Sequence, residues 1–295
     1  MIYSKGFFIS DIGRSDLRPI EFMSAVNLEN IHIVLQRPRY PENIGSAARA
    51  MCNMGLRRMS VVSPENYDLE RIGKLATHVA SGIVDRIRLY DDLATALQSF
   101  QFVVGTTARM GKQRQVVHSP ENLARQLVSI SQHNRVAILF GPEDRGLSNE
   151  DLRFCHALAN IPTADFSSLN LAQAVMIVCY ALHTATLEQK AAFVPKLASR
   201  HQLDGMYAQL REMLVRISYI NPDNPDYFMD NLRRFLTRMQ LRAREVSIVR
   251  GICRQMDWYA GKCYKDGYAE GGRQEERKDG AGTGCNGRDL LARKK

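Results

Sequence analysis

Short apolar runs bounded by turn residues recur along the first part of the chain. Their length and β-branched content predict strands. Segments with apolar residues at helical spacing lie between them, as after Ser119 and Pro120, a favourable helix N-cap and first helical residue. This alternation predicts an α/β fold with a parallel sheet, whose ligand site lies beyond the carboxyl ends of the strands. The predicted strands are 31–36, 59–63, 102–107, 135–141 and 157–162.

The pattern changes in the second part of the chain. A long apolar stripe from Leu171 to Leu182 predicts a helix that closes the α/β part near residue 190, and a linker with Pro195 follows. From about residue 200 the spacing is helical throughout, with a break at NPDNPD (221–226), and it continues to about Tyr259. We therefore predict an α/β domain over 28–190 and a small helical domain over 200–260.

The two ends of the chain fit neither domain. Residues 1–27 match no element and are interpreted as a disordered extension. Residues 261–295 are glycine-rich and charged with few apolar side chains, which predicts a disordered tail. The start is too short an apolar patch for a signal peptide, and no apolar run of about 18 residues is present, so we expect a cytoplasmic protein without a membrane segment.

Composition narrows the class of partner. The chain of 295 residues has a formal charge of +9 and a pI near 9.3, which favours an anionic partner such as nucleic acid without requiring one. Seven arginines between 233 and 254 face one acid, Glu245. Arg233 and Arg234 are candidate RNA contacts, and a solvated helix face is the alternative. Six cysteines form no CxxC pair and no histidine cluster accompanies them, so we expect reduced thiols and no metal.

The stretch FGPEDRGLS at 140–148 has two glycines spaced as in a phosphate-binding P-loop, but Leu147 stands where that motif requires lysine. Glu143 and Asp144 would repel a triphosphate. No GxGxxG follows a predicted strand, which also disfavours a dinucleotide. The loop therefore suits a ligand that is neutral or cationic where it is bound.

Three stretches share one position in the predicted fold, each running from a strand end towards a helix. They are RYPENIGSAARAMCNMGL (39–56), ILFGPEDRGLS (138–148) and IPTADFSSLNLAQAV (161–175). In these motifs the chain resembles the SPOUT superfamily of RNA methyltransferases, in its 2′-O-ribose group. The GTTAR segment (105–109) and the helical C-terminal domain are most similar to the bacterial tRNA cytidine/uridine enzymes of the TrmJ type. The resemblance spans about residues 28–260.

The resemblance implies a trefoil-knotted α/β domain, a homodimer and S-adenosylmethionine as cofactor. The implied reaction is 2′-O-methylation of tRNA, at a cytidine or uridine in the anticodon loop (position 32). The same reaction on ribosomal RNA is the nearest alternative, and a non-catalytic RNA-binding protein is an alternative of another class. A P-loop phosphotransferase is the weakest reading, because the lysine is missing.

The resemblance also implies roles for single residues. The implied cofactor contacts are Thr106, Thr107, Ala108, Gly141, Ile161, Ser168, Leu169 and Asn170. The structural alternatives to cofactor binding are a turn at Gly141, a core position for Ile161 and a helix N-cap at Ser168 or Asn170.

Catalysis is expected from Asn43, Arg49, Glu143, Ser168 and Asn170. Since a guanidinium stays protonated, we expect Arg49 to orient the ribose hydroxyl and bind phosphate, with an exposed salt bridge as its alternative. Glu143 is expected to hold a substrate hydroxyl or the ligand's amino group, or to support the loop by bonding backbone amides.

Basic residues near the site are expected to reach RNA, with ordinary exposed charge as the alternative. Arg145 is also a candidate partner for Glu143, whereas Asp144 and Asp151 are assigned to the turn and to a capping box begun by Ser148. The candidate RNA contacts here are Arg109, Lys112, Arg114 and Arg145.

Overall fold

The computed structural model of the protein describes residues 24–108, 117–164, 168–187 and 193–281. The chain divides into two compact units, residues 1–201 and residues 202–295. Strands and helices alternate in the first unit, whereas the described part of the second is helical.

The elements of the first unit follow the predicted order. All five predicted strands are confirmed within a residue or two of their predicted ends, except that the last is shorter than predicted. The strands are β1 (Ser24–Ala25), β2 (Ile31–Gln36), β3 (Met59–Val62), β4 (Arg88–Tyr90), β5 (Phe102–Thr106), β6 (Val117–His118), β7 (Val136–Phe140), β8 (Ala157–Ala159) and β9 (Thr186–Leu187). The helices are α1 (Pro41–Asn53), α2 (Leu69–Val84), α3 (Leu93–Leu97), α4 (Pro120–Ile130), α5 (Asn149–Leu152) and α6 (Leu171–Thr184).

Seven of these strands form one parallel sheet in the order β4-β3-β2-β7-β5-β8-β6. Every residue of β2 and β7 is buried, because helices cover both faces of a parallel sheet. All carboxyl ends of the strands therefore lie along one side, here called the carboxyl edge, and all amino ends lie along the opposite side, here called the amino edge.

Helix α1 packs closely against α2 through a glycine. A Cβ atom at Gly45 would lie 2.1 Å from the carbonyl oxygen of Ile72, so a larger residue would force the helices apart. The caps match their sequence signals: Ser119 accepts from the Asn122 amide at the start of α4, and Asp68 caps α2.

Short parts of the first unit differ from the prediction. β4, β6 and α3 were not predicted, because they have five residues or fewer, and β4 is largely exposed, so it lacks an apolar run. The prediction that residues 1–27 are disordered is wrong for residues 24–27, since β1 pairs with β9 and Val26 is buried. Two strand residues are too few to give a pattern, and residues 1–23 lie outside the described residues.

The second unit contains α7 (Arg200–Arg216, beginning at the boundary), α8 (Pro225–Arg238) and α9 (Ala243–Ala281). The helix end predicted near Tyr259 is wrong, because α9 continues to Ala281 through part of the predicted disordered tail. Few apolar residues argue against a packed core but not against helix, since Glu, Gln, Lys and Arg are good helix formers. Residues 282–295 lie outside the described ranges.

Candidate active site

A cavity of about 290 Å³ opens at the carboxyl edge. The ends of β5, β7 and β8 and the first turns of α6 supply its walls, as expected for a ligand site in a parallel α/β sheet. Its described lining is Thr106, Thr107, Ala108, Phe140, Gly141, Pro142, Glu143, Asp144, Arg145, Gly146, Leu147, Ala159, Ile161, Ser168, Leu169, Leu171 and Ala174.

Seven of the eight expected cofactor contacts line this cavity, from Thr106 to Leu169, and their roles in binding stay predictions. The eighth, Asn170, is the N-cap of α6 and accepts from the Ala172 amide at 2.9 Å. Thr106 donates its hydroxyl to the Leu139 carbonyl at 3.0 Å, and the Thr107 amide donates to the Ala159 carbonyl at 2.9 Å. These bonds fix the wall formed by the end of β5.

The loop after β7 folds tightly on itself. A Cβ atom at Gly141 would lie 2.3 Å from backbone atoms of Gly146 and Leu147, so the loop closes only with glycine there. Gly146 has a φ of +66°, the left-handed conformation that glycine adopts without strain. Sequence therefore dictates the loop shape at both glycines of the FGPE motif.

The three motifs are joined by one hydrogen-bond network. The side-chain amide of Asn43 donates to Glu143 Oε1 at 2.6 Å, while its oxygen accepts from Asn170 Nδ2 at 2.9 Å. The other oxygen of Glu143 accepts from the backbone amide of Arg39 at 3.0 Å. Of the roles expected for Glu143, bonding to a backbone amide is the one that the structure contains. The central position of Asn43 was not predicted from the sequence.

Charge beside the cavity is organised in pairs. The ion pair described for Arg145 is with Asp144, at 3.3 Å, whereas the hydrogen bonds described for Glu143 are with Asn43 and Arg39. Arg39 Nη1 also approaches Asp144 at 3.5 Å.

The capping box predicted for Ser148 and Asp151 is confirmed. Asp151 is buried and also accepts from Arg37 at 2.9 Å and Gln36 at 3.1 Å. It thereby ties the end of β2 to α5 and to the end of the loop after β7, a role that sequence spacing did not indicate.

Comparison with known proteins gives the family of this chain. The SpoU rRNA Methylase family matches residues 30–180, and the C-terminal domain of tRNA methyltransferase TrmJ matches residues 201–267. The tRNA (cytidine/uridine/adenosine-2′-O-)-methyltransferase TrmJ of Pseudomonas aeruginosa is 34% identical over 239 residues, covering 76% of this chain and 93% of that protein. The chain belongs to the TrmJ family of SpoU methylases. It is therefore a methyltransferase.

Other members of the TrmJ family agree. The tRNA (cytidine/uridine-2′-O-)-methyltransferase TrmJ of Pectobacterium atrosepticum is 35% identical over 232 residues, covering 76% of this chain and 95% of that protein. The crystal structure of TrmJ from Z. mobilis ZM4 superimposes with a TM-score of 0.67 at 31% identity, covering 77% of this chain and 98% of that one. The α/β fold with a helical C-terminal region is confirmed.

The arginine of the first TrmJ-family motif lies outside the cavity lining. Arg49 is exposed on α1, and among the residues that the structure describes it has no hydrogen-bond or ion-pair partner. The alternative role of Arg49, an exposed salt bridge, therefore finds no support in the described part of the chain.

The expected RNA contacts fall into three groups. Arg109, Lys112 and Arg114 lie outside the described residues, and Arg145 lines the cavity. In the helical unit, Arg234 is exposed, but Arg233 is half-buried, with its guanidinium 5.5 Å from the centre of the Tyr207 ring. Arg233 therefore packs within its own unit, a contact that arginine spacing alone could not reveal.

Two kinds of feature are absent from the part of the chain that the structure describes. Within the described ranges no three His, Cys, Asp or Glu side chains gather as a metal site would require. Over the same ranges no helix combines the length and apolar character needed to cross a membrane.

Proposed function

We propose that the chain transfers a methyl group from S-adenosylmethionine to a ribose 2′-hydroxyl of tRNA. The proposed target is a cytidine or uridine of the anticodon loop, at position 32. The TrmJ relatives are named as tRNA 2′-O-methyltransferases, and this chain covers more than nine-tenths of the length of those described above. Such an enzyme works where tRNA is found, in the cytoplasm.

The observation that carries the proposal is the network centred on Asn43. Three motifs that lie far apart in the chain meet beside one cavity, and Asn43 bonds to a residue of each of the other two, Glu143 and Asn170. In a chain that had kept the fold but lost the reaction, contact among all three motifs would not be required.

The cavity fits S-adenosylmethionine in the chemistry of its lining. Ile161, Leu169 and Leu147 provide apolar walls suited to an adenine ring, and the threonines at the end of β5 provide polar groups at its rim. Glu143 and Asp144 suit the positive charge that the cofactor carries and disfavour a triphosphate. These residues would hold the cofactor, and when bound it supplies an electrophilic methyl group attached to sulfur.

The protein residues must position and activate a poor nucleophile. A ribose hydroxyl has to point along the line of the breaking bond and lose its proton, so alignment is a large part of the catalysis. In this proposal Arg49 binds the adjacent phosphate and orients the hydroxyl, because a guanidinium is not deprotonated and cannot serve as the base. Asn43 and Asn170 hold the first and third motifs in register. Ser168, exposed at the cavity rim, is available to contact the substrate.

We also propose a homodimer with a trefoil knot around the second and third motifs, as the family resemblance implies. Arg49 is exposed and without a partner in the described residues, as expected if it serves the site of a second copy. Ile177 and Tyr180 form an exposed apolar stripe on α6, next to the cavity, which a second copy could cover. Sedimentation at working concentration checks the dimer, and an active monomer would contradict it.

We assign tRNA selection in part to the helical unit. The TrmJ C-terminal domain match covers this unit, and its exposed arginines can contact phosphates. Arg234 and Arg242 are exposed, whereas the guanidinium groups of Arg238 and Arg250 donate within the unit, to the Arg234 carbonyl at 3.3 Å and to Gln209 at 3.0 Å. Arg234 and Arg242 are therefore the better candidates for RNA contact.

A methylation assay tests the proposal. The full chain is incubated with labelled S-adenosylmethionine and either total tRNA or ribosomal RNA, and digested nucleosides are identified by mass. We expect 2′-O-methylcytidine or 2′-O-methyluridine from tRNA only. Methylation of ribosomal RNA alone would favour the alternative substrate. Tight tRNA binding without methylation would indicate a non-catalytic RNA-binding protein.

A further inference from the structure

A second pocket, of about 460 Å³, lies on the opposite side of the sheet from the cofactor cavity. It is formed at the starts of β4, β3, β2 and β7, four neighbouring strands, and we call it the arginine pocket. Since these strands are three to six residues long and rise about 3.3 Å per residue, the pocket lies roughly 10–20 Å from the carboxyl edge. The described residues that line it are Glu29, His32, Arg57, Arg58, Met59, Arg86, Arg88 and Arg135.

Positive charge is concentrated here without matching acids. Among the eight lining residues just named, five are arginines and Glu29 is the single acid, which approaches Arg58 at 3.5 Å. Arg57 and Arg88 are exposed, and neither has a hydrogen-bond or ion-pair partner among the residues that the structure describes. The pocket therefore holds guanidinium groups that the fold leaves free to bind something else.

The arginines repel one another and their neighbours. Burial and the nearby charges of Arg58 and Arg88 lower the pKa of Arg135, whose guanidinium also lies 4.9 Å from the centre of the Phe100 ring. Clustered like charges destabilise the folded chain unless an anion offsets them. This arrangement is better explained by a bound anion than by packing needs.

A buried histidine at the pocket wall points to the same ligand class. His32 is only 7% exposed, and its Nε2 pairs with the Ser60 hydroxyl at 2.9 Å. Its Nδ1 is buried and has no hydrogen-bond partner among the described residues. If the Ser60 hydroxyl donates to Nε2, the neutral ring carries its hydrogen on Nδ1, a donor on a pocket-lining residue that the described fold leaves unused.

Burial, and then the charges of Arg135, Arg58 and Arg88, lower the pKa of His32 to about 4. The Met59 backbone acts in the opposite direction and raises the pKa of His32. The ring is thus neutral at physiological pH, and the positive charge of the pocket is carried by its arginines. One arginine guanidinium can donate two parallel hydrogen bonds to two oxygens of a phosphate. Phosphate is therefore the anion that this set of donors fits best.

We propose that the arginine pocket is a second phosphate-binding site, which holds backbone phosphates of the same tRNA whose ribose is methylated at the carboxyl edge. This inference rests on the proposed function for its RNA. The proposed substrate carries phosphates along its whole length, so one tRNA molecule can reach both edges of the sheet. A free phosphate or pyrophosphate is the other source of the same chemistry.

Salt dependence of tRNA binding tests the proposal. Full-length Arg57→Gln/Arg88→Gln loses two cations that make no hydrogen bond or ion pair within the described chain, so its fold should persist. Each lost phosphate contact lowers the slope of log affinity against log salt by about 0.7 to 0.9. We therefore expect a slope lower by roughly 1.4 to 1.8 and at least tenfold weaker tRNA binding at low salt, measured by fluorescence anisotropy.

A matched control removes two positive charges outside both pockets. Lys74→Gln/Arg125→Gln changes exposed residues of α2 and α4, and it should leave the slope within about 0.3 of the wild type. Wild-type melting temperature and S-adenosylmethionine affinity establish that each variant is folded. If the first variant is unstable, Arg58→Gln/Arg86→Gln gives the same readout.

Two outcomes would overturn the proposal. An unchanged slope in both pocket variants would show that tRNA does not contact these arginines. If calorimetry then detects pyrophosphate binding that the variants lose, the ligand is a free phosphate compound and not tRNA. The anisotropy assay contains no methyl transfer, so an inactive enzyme still reports on the pocket, and normal methylation with an unchanged slope contradicts this inference alone.

Discussion

At the carboxyl edge of the sheet the cavity is lined mainly by small, apolar and uncharged polar residues, whereas at the amino edge the pocket is lined mainly by arginines. Loops shape the first site, and side chains at or near the first residues of strands shape the second. The first has features of a site for a compact, positively charged ligand, and the second has features of a surface for phosphate. If both proposals hold, one parallel sheet separates the reaction from the binding of tRNA phosphates by the length of its strands.

The largest effect that can test this division is expected for Arg49→Ala. If Arg49 orients the ribose hydroxyl without touching the cofactor, the single-turnover methylation rate with saturating tRNA should fall roughly 100-fold or more. S-adenosylmethionine affinity should stay at the wild-type value. Stability should change by less than about 0.5 kcal/mol, since the side chain is exposed and has no partner in the described residues.

Arg125→Ala is the control for Arg49→Ala, because Arg125 is also exposed on a helix of the same unit. It should leave the single-turnover rate unchanged. A normal rate in Arg49→Ala would remove Arg49 from the mechanism and leave the carboxyl edge without its expected positioning residue.

The difference between the edges also explains what the sequence could predict. At the carboxyl edge the residues are contiguous in motifs, and glycines such as Gly141 and Gly146 mark where the backbone must turn. Seven of the described lining residues were therefore among the cofactor contacts expected from the motifs. At the amino edge single arginines, from Arg57 to Arg135, come together only after the strands are ordered. No spacing along the chain could have indicated this pocket.

Two other contacts were missed for the same reason. The bonds of Asn43 to Glu143 and Asn170 span 100 and 127 positions and depend on packing, and its part in catalysis stays a prediction. Arg233 lies over the ring of Tyr207, 26 positions earlier in the chain, a contact that no local pattern indicates, and its contact with RNA stays a prediction. Local patterns predict elements and loop shapes, whereas contacts between distant residues require the fold.

The second prediction concerns acid stability, which should originate at the amino edge. His32 and His156 lie near the starts of β2 and β8, and burial lowers their pKa values to about 4 and about 3. The Val103 amide donates to His156 Nδ1 at 3.1 Å, which also requires a ring nitrogen without hydrogen. Repulsion from nearby arginines adds to burial, from Arg200 at His156 and from Arg135, Arg58 and Arg88 at His32.

The sign follows from proton binding. Unfolded histidine takes up a proton near pH 6.5, whereas the folded rings stay neutral until about pH 4 and pH 3. Both contributions are therefore complete above pH 6.5 and are lost as the pH falls from there towards the folded pKa values. Between pH 7 and pH 5 each histidine should reduce the free energy of unfolding by roughly 2 kcal/mol.

Urea unfolding of the full chain at pH 7 and pH 5 measures this loss. His32→Gln and His156→Gln should each lose about 2 kcal/mol less than the wild type, and His78→Gln, an exposed histidine on α2, should behave like the wild type. No histidine is among the described residues that line the carboxyl-edge cavity. If all three variants lose the same free energy of unfolding between pH 7 and pH 5, the two buried rings are not the source of the acid sensitivity.

The smallest effect is expected for Glu143→Gln. This substitution tests whether the carboxylate stabilises the loop or takes part in the reaction at the carboxyl edge. Both oxygens of Glu143 accept hydrogen bonds, from the Arg39 amide and from Asn43. Glutamine has one oxygen, so one donor would face an NH₂ group, and the free energy of unfolding should fall by about 1 kcal/mol. If Glu143 acts only by holding Asn43 and the loop, the single-turnover rate should fall less than tenfold. A fall of 100-fold or more at unchanged stability would instead show that its charge acts on the substrate, and the carboxyl edge would then use electrostatics as directly as the amino edge does.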